Sequence, residues 1–389
     1  MKKLLALIIL PILFQGSLWS EFKEVPAYWD GKNFHQLNAQ QIALSHPTLQ
    51  ESTLYFAVGV GGITCYGHGL LDGVLPLYVM LKEHDLLNTR LNLLIRAPIS
   101  TQTNATFCNI LQLLKDVFHF NQIIVINSGT APLFIEKLIV HDSVPFSGIQ
   151  PSSFSFYKTY PESYEYIKAL QKLGFQENVV FQDTETQDNI VKDFVNFVLK
   201  AYNIDLPLVK NRVLLAFRPY SRQILNLDEL SSALKNQGYQ VAVVDFEKLS
   251  IKQQIIETIQ SEYLMGTYGS NLVNAIFLKP EANVVVLWHK YAKYFWPRRY
   301  CIIHSAFLST GVRLIEYDKF EYDERDVYQE SIHVPEYFYR ERKKMNRLRV
   351  SKLNMDDILK YPLPGMYEIL NVDLYIDPNE IIYLLNHVK

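Results

Sequence analysis

Two short constellations in this chain have residue types and spacings that could do chemistry. The first is His68 and Asp72 in the run Gly67-His68-Gly69-Leu70-Leu71-Asp72-Gly73-Val74-Leu75-Pro76-Leu77-Tyr78. Four residues apart on a helix, an imidazole and a carboxylate project from one face. A His with an acid one turn away can act as a general base with its orienting partner; a buried His satisfied by its neighbour has the same spacing. The second constellation is split between Arg218-Pro219-Tyr220-Ser221-Arg222 and Gly266-Thr267-Tyr268-Gly269-Ser270. Gly269 lets backbone come close to a ligand, and N–H groups at the start of a following helix suit a phosphate. Two guanidinium groups and a helix N-terminus facing one crevice would hold a diphosphate. The plainer alternative is an ordinary glycine turn and a pair of surface arginines.

The elements that must position these residues follow from periodicity. Residues 263–265 are a short apolar run, and the glycine turn follows. A compact helix then buries Leu272, Ala275, Ile276 and Phe277, Lys279-Pro280 stops it, and residues 283–288 form a buried strand. This is a βαβ unit whose turn is its functional end. Upstream, a strand over 212–217 ends at the arginine pair. Asn226-Leu227-Asp228-Glu229 has capping-box spacing and opens a helix ending at Gly238; a strand over 239–246 follows, and Ser250-Ile251-Lys252-Gln253 is a second capping box. A helix around 294–308 and a strand over 313–317 complete an open α/β array. Ligands of such sheets bind at the carboxyl ends of strands. In the first half, an irregular lead-in over 21–51 precedes strands over 54–60, 91–97 and 122–127 and helices over 67–79 and 105–118. Residues 143–163 read as a long loop, 188–202 as an amphipathic helix and 203–210 as a domain boundary.

Composition bounds the rest. Hydrophobic content of 49% with 20% charged residues describes a globular protein with large cores. A net charge of −2 argues against a nucleic-acid binder driven by bulk electrostatics. Cys65, Cys108 and Cys301 match no zinc or redox spacing. No Asp-x-Asp motif follows a strand. Lys2 and Lys3 before an apolar run over 4–14 read as a signal peptide or uncleaved anchor within 1–20. That makes the protein exported: periplasmic or membrane-anchored in a bacterium, lumenal in a eukaryotic secretory pathway. The segment 340–352, which opens on Arg340 and closes on Lys352, carries seven Lys/Arg against one Glu. It reads as a solvated helix face or as a patch meeting anionic lipid or a charged glycan. Asp377-Pro378-Asn379-Glu380 opens a closing helix.

Arg218 through Asn226 with Glu229, Gln254 twelve residues before Gly266, and Gly266-x-x-Gly269-x-x-Leu272-x-Asn274-x-x-Phe277-x-x-Pro280 resemble glycosyltransferase family 61, also called the DUF563 or capsular-polysaccharide type. Gly67-His68-x-Leu70-Leu71-Asp72-x-x-x-Pro76 is similar to that family's N-terminal motif. The resemblance covers roughly residues 54–317. It implies a GT-B fold, an α/β architecture of two facing Rossmann-like domains with a C-terminal helix crossing back to the first. The expected divisions are an export segment over 1–20, an acceptor domain over 21–205, a nucleotide-sugar donor domain over 206–320 and a tail over 321–389. The implied reaction is an inverting transfer of a sugar from a nucleotide-sugar co-substrate, commonly UDP-GlcNAc or UDP-xylose, to a glycan or glycoprotein acceptor. It implies no further cofactor and no obligatory metal.

In that reaction His68, oriented by Asp72, is the expected base, and Asp72 acting itself is the second choice. Arg218, Arg222, Tyr268, Gly269, Ser270, Asn271 and Asn274 are expected on the donor side, Asn274 either reaching the nucleotide or knitting the turn to its neighbour. Glu229 and Gln253 read as capping residues. The family usually has His-Gly-Ala-Gly where this chain has Tyr268-Gly269-Ser270-Asn271, and an arginine where it has Leu77. These departures motivate a second reading, a catalytically degenerate secreted glycan-binding or scaffold protein of the same fold.

Overall fold

The computed structural model describes residues 22–30, 34–38, 49, 52–56, 66–97, 104–127, 129–141, 184–220, 222–288, 310–317 and 373–387. The export segment, the loop over 143–163, the helix around 294–308, the basic stretch 340–352, Cys65 and Cys301 lie outside the described residues. Contacts divide the chain into two units.

The first unit carries a mixed sheet of β1 (Phe22–Trp29), β2 (Phe34–Gln36), β3 (Thr53–Phe56), β4 (Asn92–Arg96), β5 (Gln122–Ile126) and β6 (Leu133–His141), in the order β2-β1-β6-β3-β4-β5. β3, β4 and β5 run parallel, β6 is parallel to β3, and β1 is antiparallel to both β2 and β6. Two of these strands correct the expectation of an irregular lead-in. Pro26 sits inside β1 and has no N–H for the ladder, so the pairing shifts register between Val25 and Ala27. A proline there hides the strand from pattern reading. Ala27, Leu49, Leu94, Ile126, Ile135 and Leu138 form this unit's core.

The second unit is built on an all-parallel sheet of β7 (Val209–Ala216), β8 (Gln240–Val244), β9 (Ser261–Thr267), β10 (Asn283–Leu287) and β11 (Arg313–Tyr317). Read across the sheet, the order is β8-β7-β9-β10-β11. All five residues of β10 are buried, which is why the strand reads as an unbroken apolar run rather than an alternation. Each fully buried Val or Leu there contributes roughly 1.5–3 kcal/mol. Helices α4 (Leu227–Asn236) and α5 (Ile251–Ile259) are the crossovers from β7 to β8 and from β8 to β9. The capping box at Ser250 forms as expected: Ser250 Oγ accepts from the Gln253 N–H at 3.3 Å, and Gln253 Oε1 accepts from the Ser250 N–H at 3.1 Å. α4 ends at the Gly238 turn, where φ is 85°.

The units do not coincide with the segments 21–205 and 206–320. Among the described residues, 66–76, 104–118 and those from 184 onward cluster with the β7–β11 sheet. Specific contacts fasten them. In α2 (Ala105–Val117), Phe107, Ile110, Leu113, Leu114 and Val117 form one buried stripe. Asn109 Nδ2 donates to the Leu249 carbonyl at 3.5 Å. The Tyr202 hydroxyl, at the end of α3 (Thr184–Tyr202), donates to Asp116 Oδ2 at 3.1 Å. The His68 segment is helical through Tyr66–His68, passes through a π-helical stretch over Gly69–Val74 and continues as α1 (Leu75–Glu83). The wide turn comes just before Pro76, which has no N–H to give an i→i−4 bond.

The closing helix α6 (Pro378–His387) packs on the second unit's own core. Its Ile381 and Leu385 share a core with Leu230 and Leu234 of α4, and Tyr239 donates to Asn386 Oδ1 at 3.2 Å. Asn226 stands at the N-cap of α4 but does not cap it with its side chain. Its Oδ1 accepts from the Ile376 N–H at 3.0 Å and Nδ2 donates to the Ile376 carbonyl at 2.7 Å. Glu229 accepts from Asn226 Nδ2 at 3.0 Å and from the Tyr375 hydroxyl at 2.9 Å.

Candidate functional site

β7 connects to β8 on one side of itself and lies beside β9 on the other. The connections leave the sheet in opposite directions there, so a crevice opens at the carboxyl ends of β7 and β9. The segment after β7 carries Arg218 and Arg222; the segment after β9 carries Tyr268, Gly269 and Ser270.

Both arginines converge on Gly269. A Cβ at this position would overlap the Arg218 guanidinium and lie 3.0 Å from Arg222 Nη1. The backbone at Gly269 has φ 154° and ψ −173°, a region open to essentially no residue but glycine. Two independent requirements therefore select glycine here. Arg222 is itself left-handed, with φ 53°, at a cost of roughly 1–2 kcal/mol, and its Nη1 donates to the Tyr268 carbonyl at 2.7 Å. The arginine segment is tied down on its far side. The Gln223 N–H donates to Asp373 Oδ1 at 2.8 Å, the Leu374 N–H to the Gln223 carbonyl at 2.7 Å, and the Leu225 N–H to the Leu374 carbonyl at 2.7 Å. With the Asn226–Ile376 pair, these bonds form a clasp.

Gly269 offers no side-chain cap to the 3-10 helix Ser270–Phe277. The positive end of that helix dipole points toward the arginines' crevice. Asn271 is half-buried, and its Nδ2 donates to the Phe217 carbonyl at 3.5 Å, linking the two segments. The Tyr268 ring turns inward: it is 4% exposed and stacks on Trp288 with centroids 4.6 Å apart and planes 13° from parallel. Trp288 Nε1–H donates to Glu316 Oε1 at 2.8 Å. Tyr268 thus meets Arg222 through its carbonyl.

Asn274 is 1% exposed. Its Nδ2 donates to Gln254 Oε1 at 3.2 Å and to the Asn271 carbonyl at 3.4 Å, and its Oδ1 accepts from the Tyr66 hydroxyl at 3.0 Å. Gln254 Nε2 passes the connection on to the Phe246 and Leu249 carbonyls at 2.8 and 3.1 Å. Of its two expected roles, this geometry is that of the knot. Burial, and then the neighbouring Tyr202 phenol, pushes the Tyr66 phenol far above its ordinary range, so it remains a donor across physiological pH.

The same knot brings the His68 segment to the turn. A Cβ on Gly67 would lie 3.0 Å from Val273 Cγ2 and 3.7 Å from the Ser270 Cα. His68 is one residue on, and Asp72 follows in the π-helical stretch. For His68 and Asp72 the backbone alone is described. A cavity of about 80 Å³ opens beside the end of β8, lined by Arg218, Pro219, Tyr220, Asp245, Glu247 and Asn271 among others. Among the described residues, no three of His, Cys, Asp and Glu gather as a metal site.

Sequence reasoning missed Tyr66, Trp288 and the clasp. Trp288 closes an apolar run that already read as buried, but nothing local announces which ring it meets. Tyr66 precedes the His68 motif directly, yet its partner lies 208 residues away.

A family model described as Glycosyltransferase 61 matches residues 66–285, more than half of the chain and every element of the crevice. Alpha-1,3-arabinosyltransferase XAT3 of Oryza sativa subsp. japonica is 28% identical over 103 residues, covering 24% of this chain and 18% of that protein. The EGF domain-specific O-linked N-acetylglucosamine transferase of Drosophila melanogaster is 27% identical over 108 residues, covering 27% of this chain and 21% of that one. The aligned part thus spans only about a fifth of these curated relatives. The solved structure of TibC, described as a bacterial iron-containing dodecameric glycosyltransferase from enterotoxigenic E. coli, overlays 91% of this chain and 78% of that one with 10% identity and a TM-score of 0.34. That overlay is too loose to carry an argument about fold. The family match over residues 66–285 is of another order, and by it the chain belongs to the glycosyltransferase 61 family.

Proposed function

We propose that the protein is an inverting glycosyltransferase of GT-B type that takes a sugar from a nucleoside diphosphate donor, most simply a UDP-sugar, and gives it to a glycan or glycoprotein acceptor in an exported compartment. The observation that carries this reading is the convergence of Arg218 and Arg222 on Gly269 at the switch point between β7 and β9. A leaving diphosphate gathers negative charge as its bond to the anomeric carbon breaks. Fixed guanidinium groups and a helix N-terminus stabilise that charge where it develops. His68, oriented by Asp72, takes the proton of the acceptor hydroxyl. The hydroxyl oxygen bonds to the anomeric carbon from the face opposite the diphosphate, and the diphosphate departs with the bonding pair.

The parts that meet around the arginines support this direction of transfer. The Gly67 backbone packs at Ser270, and the cavity with Asp245 lies beside Arg218 and Asn271. The transferred sugar then lies toward His68 and the nucleoside toward β8. The names of the relatives include both an arabinosyl and an N-acetylglucosaminyl transferase, so the donor sugar here is a pentose or a hexose. The reading includes no obligatory metal and no cofactor beyond the nucleotide-sugar.

One observation favours a second reading. Where the family usually has His, Tyr268 is buried against Trp288, so the turn presents no imidazole to a donor. A protein that kept the seat and lost turnover would look the same there. The test is donor hydrolysis and thermal shift with UDP-, GDP- and CMP-sugars on the chain lacking residues 1–20, with Arg218→Ala beside it. Stabilisation by one nucleotide class, lost in the variant and accompanied by diphosphate release, supports the transferase. Binding without release favours the glycan-binding reading, and no response to any nucleotide overturns the donor seat.

A further inference from the structure

The cavity beside the arginines has a charge pattern that an anion seat does not explain. It opens between the ends of β7 and β8, and its walls bring Asp245 and Glu247 up to the same space as Arg218 and Asn271. Two carboxylates repel phosphate, so the part of a ligand that enters here is neutral and rich in donors. Its volume of about 80 Å³ is well below the roughly 300–1,000 Å³ that encloses a whole drug-sized ligand. It can hold one fragment, of sugar-ring size.

Asp245 is a preset acceptor. Its side chain is 10% exposed. One oxygen accepts from the Glu247 N–H at 3.1 Å and the other meets Lys248 Nζ at 3.3 Å. A carboxylate has about four lone-pair sites, so both oxygens can still accept from a ligand. Asp245 directly follows β8, the strand next to β7 on the side away from β9. In doubly wound sheets an acidic residue downstream of the phosphate-binding turn accepts from a ribose hydroxyl. At the rim, Tyr220 is 67% exposed and also lines the cavity. An aromatic face there gives a base a surface to stack on.

We propose that this pocket is the nucleoside subsite: Asp245 accepts hydrogen bonds from the ribose cis-diol, and Tyr220 supports the base outside the cavity. The assignment rests on the donor seat proposed above and adds to it a requirement for ribose, set by Asp245.

The experiment is calorimetric titration of the full chain with UDP, GDP, ADP and the 2′-deoxy form of each. A charge-assisted hydrogen bond to the 2′-hydroxyl makes the preferred ribonucleotide bind about tenfold to a hundredfold tighter than its deoxy form. In Asp245→Asn that ratio falls to within about twofold of one, whereas Arg218→Ala weakens both forms together and leaves the ratio standing. Equal binding of both forms by the wild-type chain overturns the ribose assignment and leaves the arginine seat intact. A ratio that survives in Asp245→Asn overturns the role of Asp245. If no diphosphate binds the wild-type chain, the seat itself is refuted and this inference with it. Should Asp245→Asn fail to fold, the wild-type comparison still decides whether the pocket reads ribose, and Tyr220→Ala, on an exposed side chain, tests the base platform by weakening both forms several-fold; no change there overturns the platform.

Discussion

Replacing Gly269 by alanine separates the two reasons that the position needs glycine. The backbone alone, at φ 154° and ψ −173°, costs a side-chain-bearing residue roughly 1–3 kcal/mol. In a domain of this size each kcal/mol is worth about 2–4 °C in melting temperature, so the strain lowers Tm by roughly 2–12 °C. The new methyl also overlaps the Arg218 guanidinium and crowds Arg222 at 3.0 Å, so at least one guanidinium must move off the anion. Losing a hydrogen bond to a charged group costs about 1.5–3 kcal/mol, which is about a tenfold to 150-fold rise in Kd. Gly238→Ala is the matched control. Gly238 also has positive φ, at 85°, but nothing lies within 4 Å of a Cβ placed there, so it takes the backbone penalty and keeps nucleotide affinity. Differential scanning fluorimetry gives the Tm of each variant, and titration with UDP gives Kd. Should Gly269→Ala bind UDP within twofold of wild type, the placement of the arginines around that glycine as an anion seat is refuted.

Four further outcomes are expected. His68→Ala lowers donor turnover by about 10²–10⁴-fold with nucleotide Kd within twofold of wild type; an unchanged kcat would remove His68 from the chemistry. Asn274→Leu strands two groups, the Tyr66 hydroxyl and Gln254 Oε1, each at about 1–3 kcal/mol, whereas Tyr66→Phe strands one, Asn274 Oδ1, at about 1–3 kcal/mol; chemical denaturation curves that fail to rank the two variants in this order would argue against the knot. Asn226→Ala breaks both bonds to Ile376 and destabilises by about 1–3 kcal/mol, with faster hydrogen exchange at residues 373–376 as the reporter. Finally, burial first, and then the nearby Glu262 carboxylate, pushes the Tyr263 phenol up to about 12. Burial likewise pushes Tyr317 up to about 12. Folding holds these protons more tightly than the unfolded chain does, so the stability they contribute is whole below pH 10 and drains away as pH rises to about 12, at about 1.4 kcal/mol per unit per group. Tyr263→Phe should flatten that decline in a urea-midpoint series; an equal slope would deny Tyr263 its share.

The second unit was legible because its strands and turns announce themselves locally. β10 is nearly all Val and Leu, Ser250 and Gln253 form the box that their spacing foretells, and Gly238 ends α4 where a helix stop was expected. The crevice, too, followed from local rules, since strand ends carry the ligands of parallel sheets. What escaped was set by partners distant in sequence. Asn226 and Glu229 have capping-box spacing, but a C-terminal segment outcompetes the helix for the Asn226 amide. Tyr268 looked like a side chain for the donor because it sits in the turn; its ring instead finds Trp288. β1 was hidden by Pro26, which disturbs the alternation that marks a strand. The assignment of residues 104–118 to the second unit could not be read from α2 itself, whose apolar stripe says that it is buried but not against what.

The clasp on the arginine segment has a consequence for the order of events during synthesis. Arg218 and Arg222 leave the ribosome long before Asp373, Leu374 and Ile376, with Gln223 and Asp373 150 positions apart. At about 5–20 residues per second, several seconds pass in which the sheet can assemble while its arginine segment still lacks its anchor. A nascent or prematurely terminated chain can therefore resemble the finished fold without offering a firm grip to nucleotide. On the proposed donor seat, nucleotide affinity would then report whether the clasp has closed.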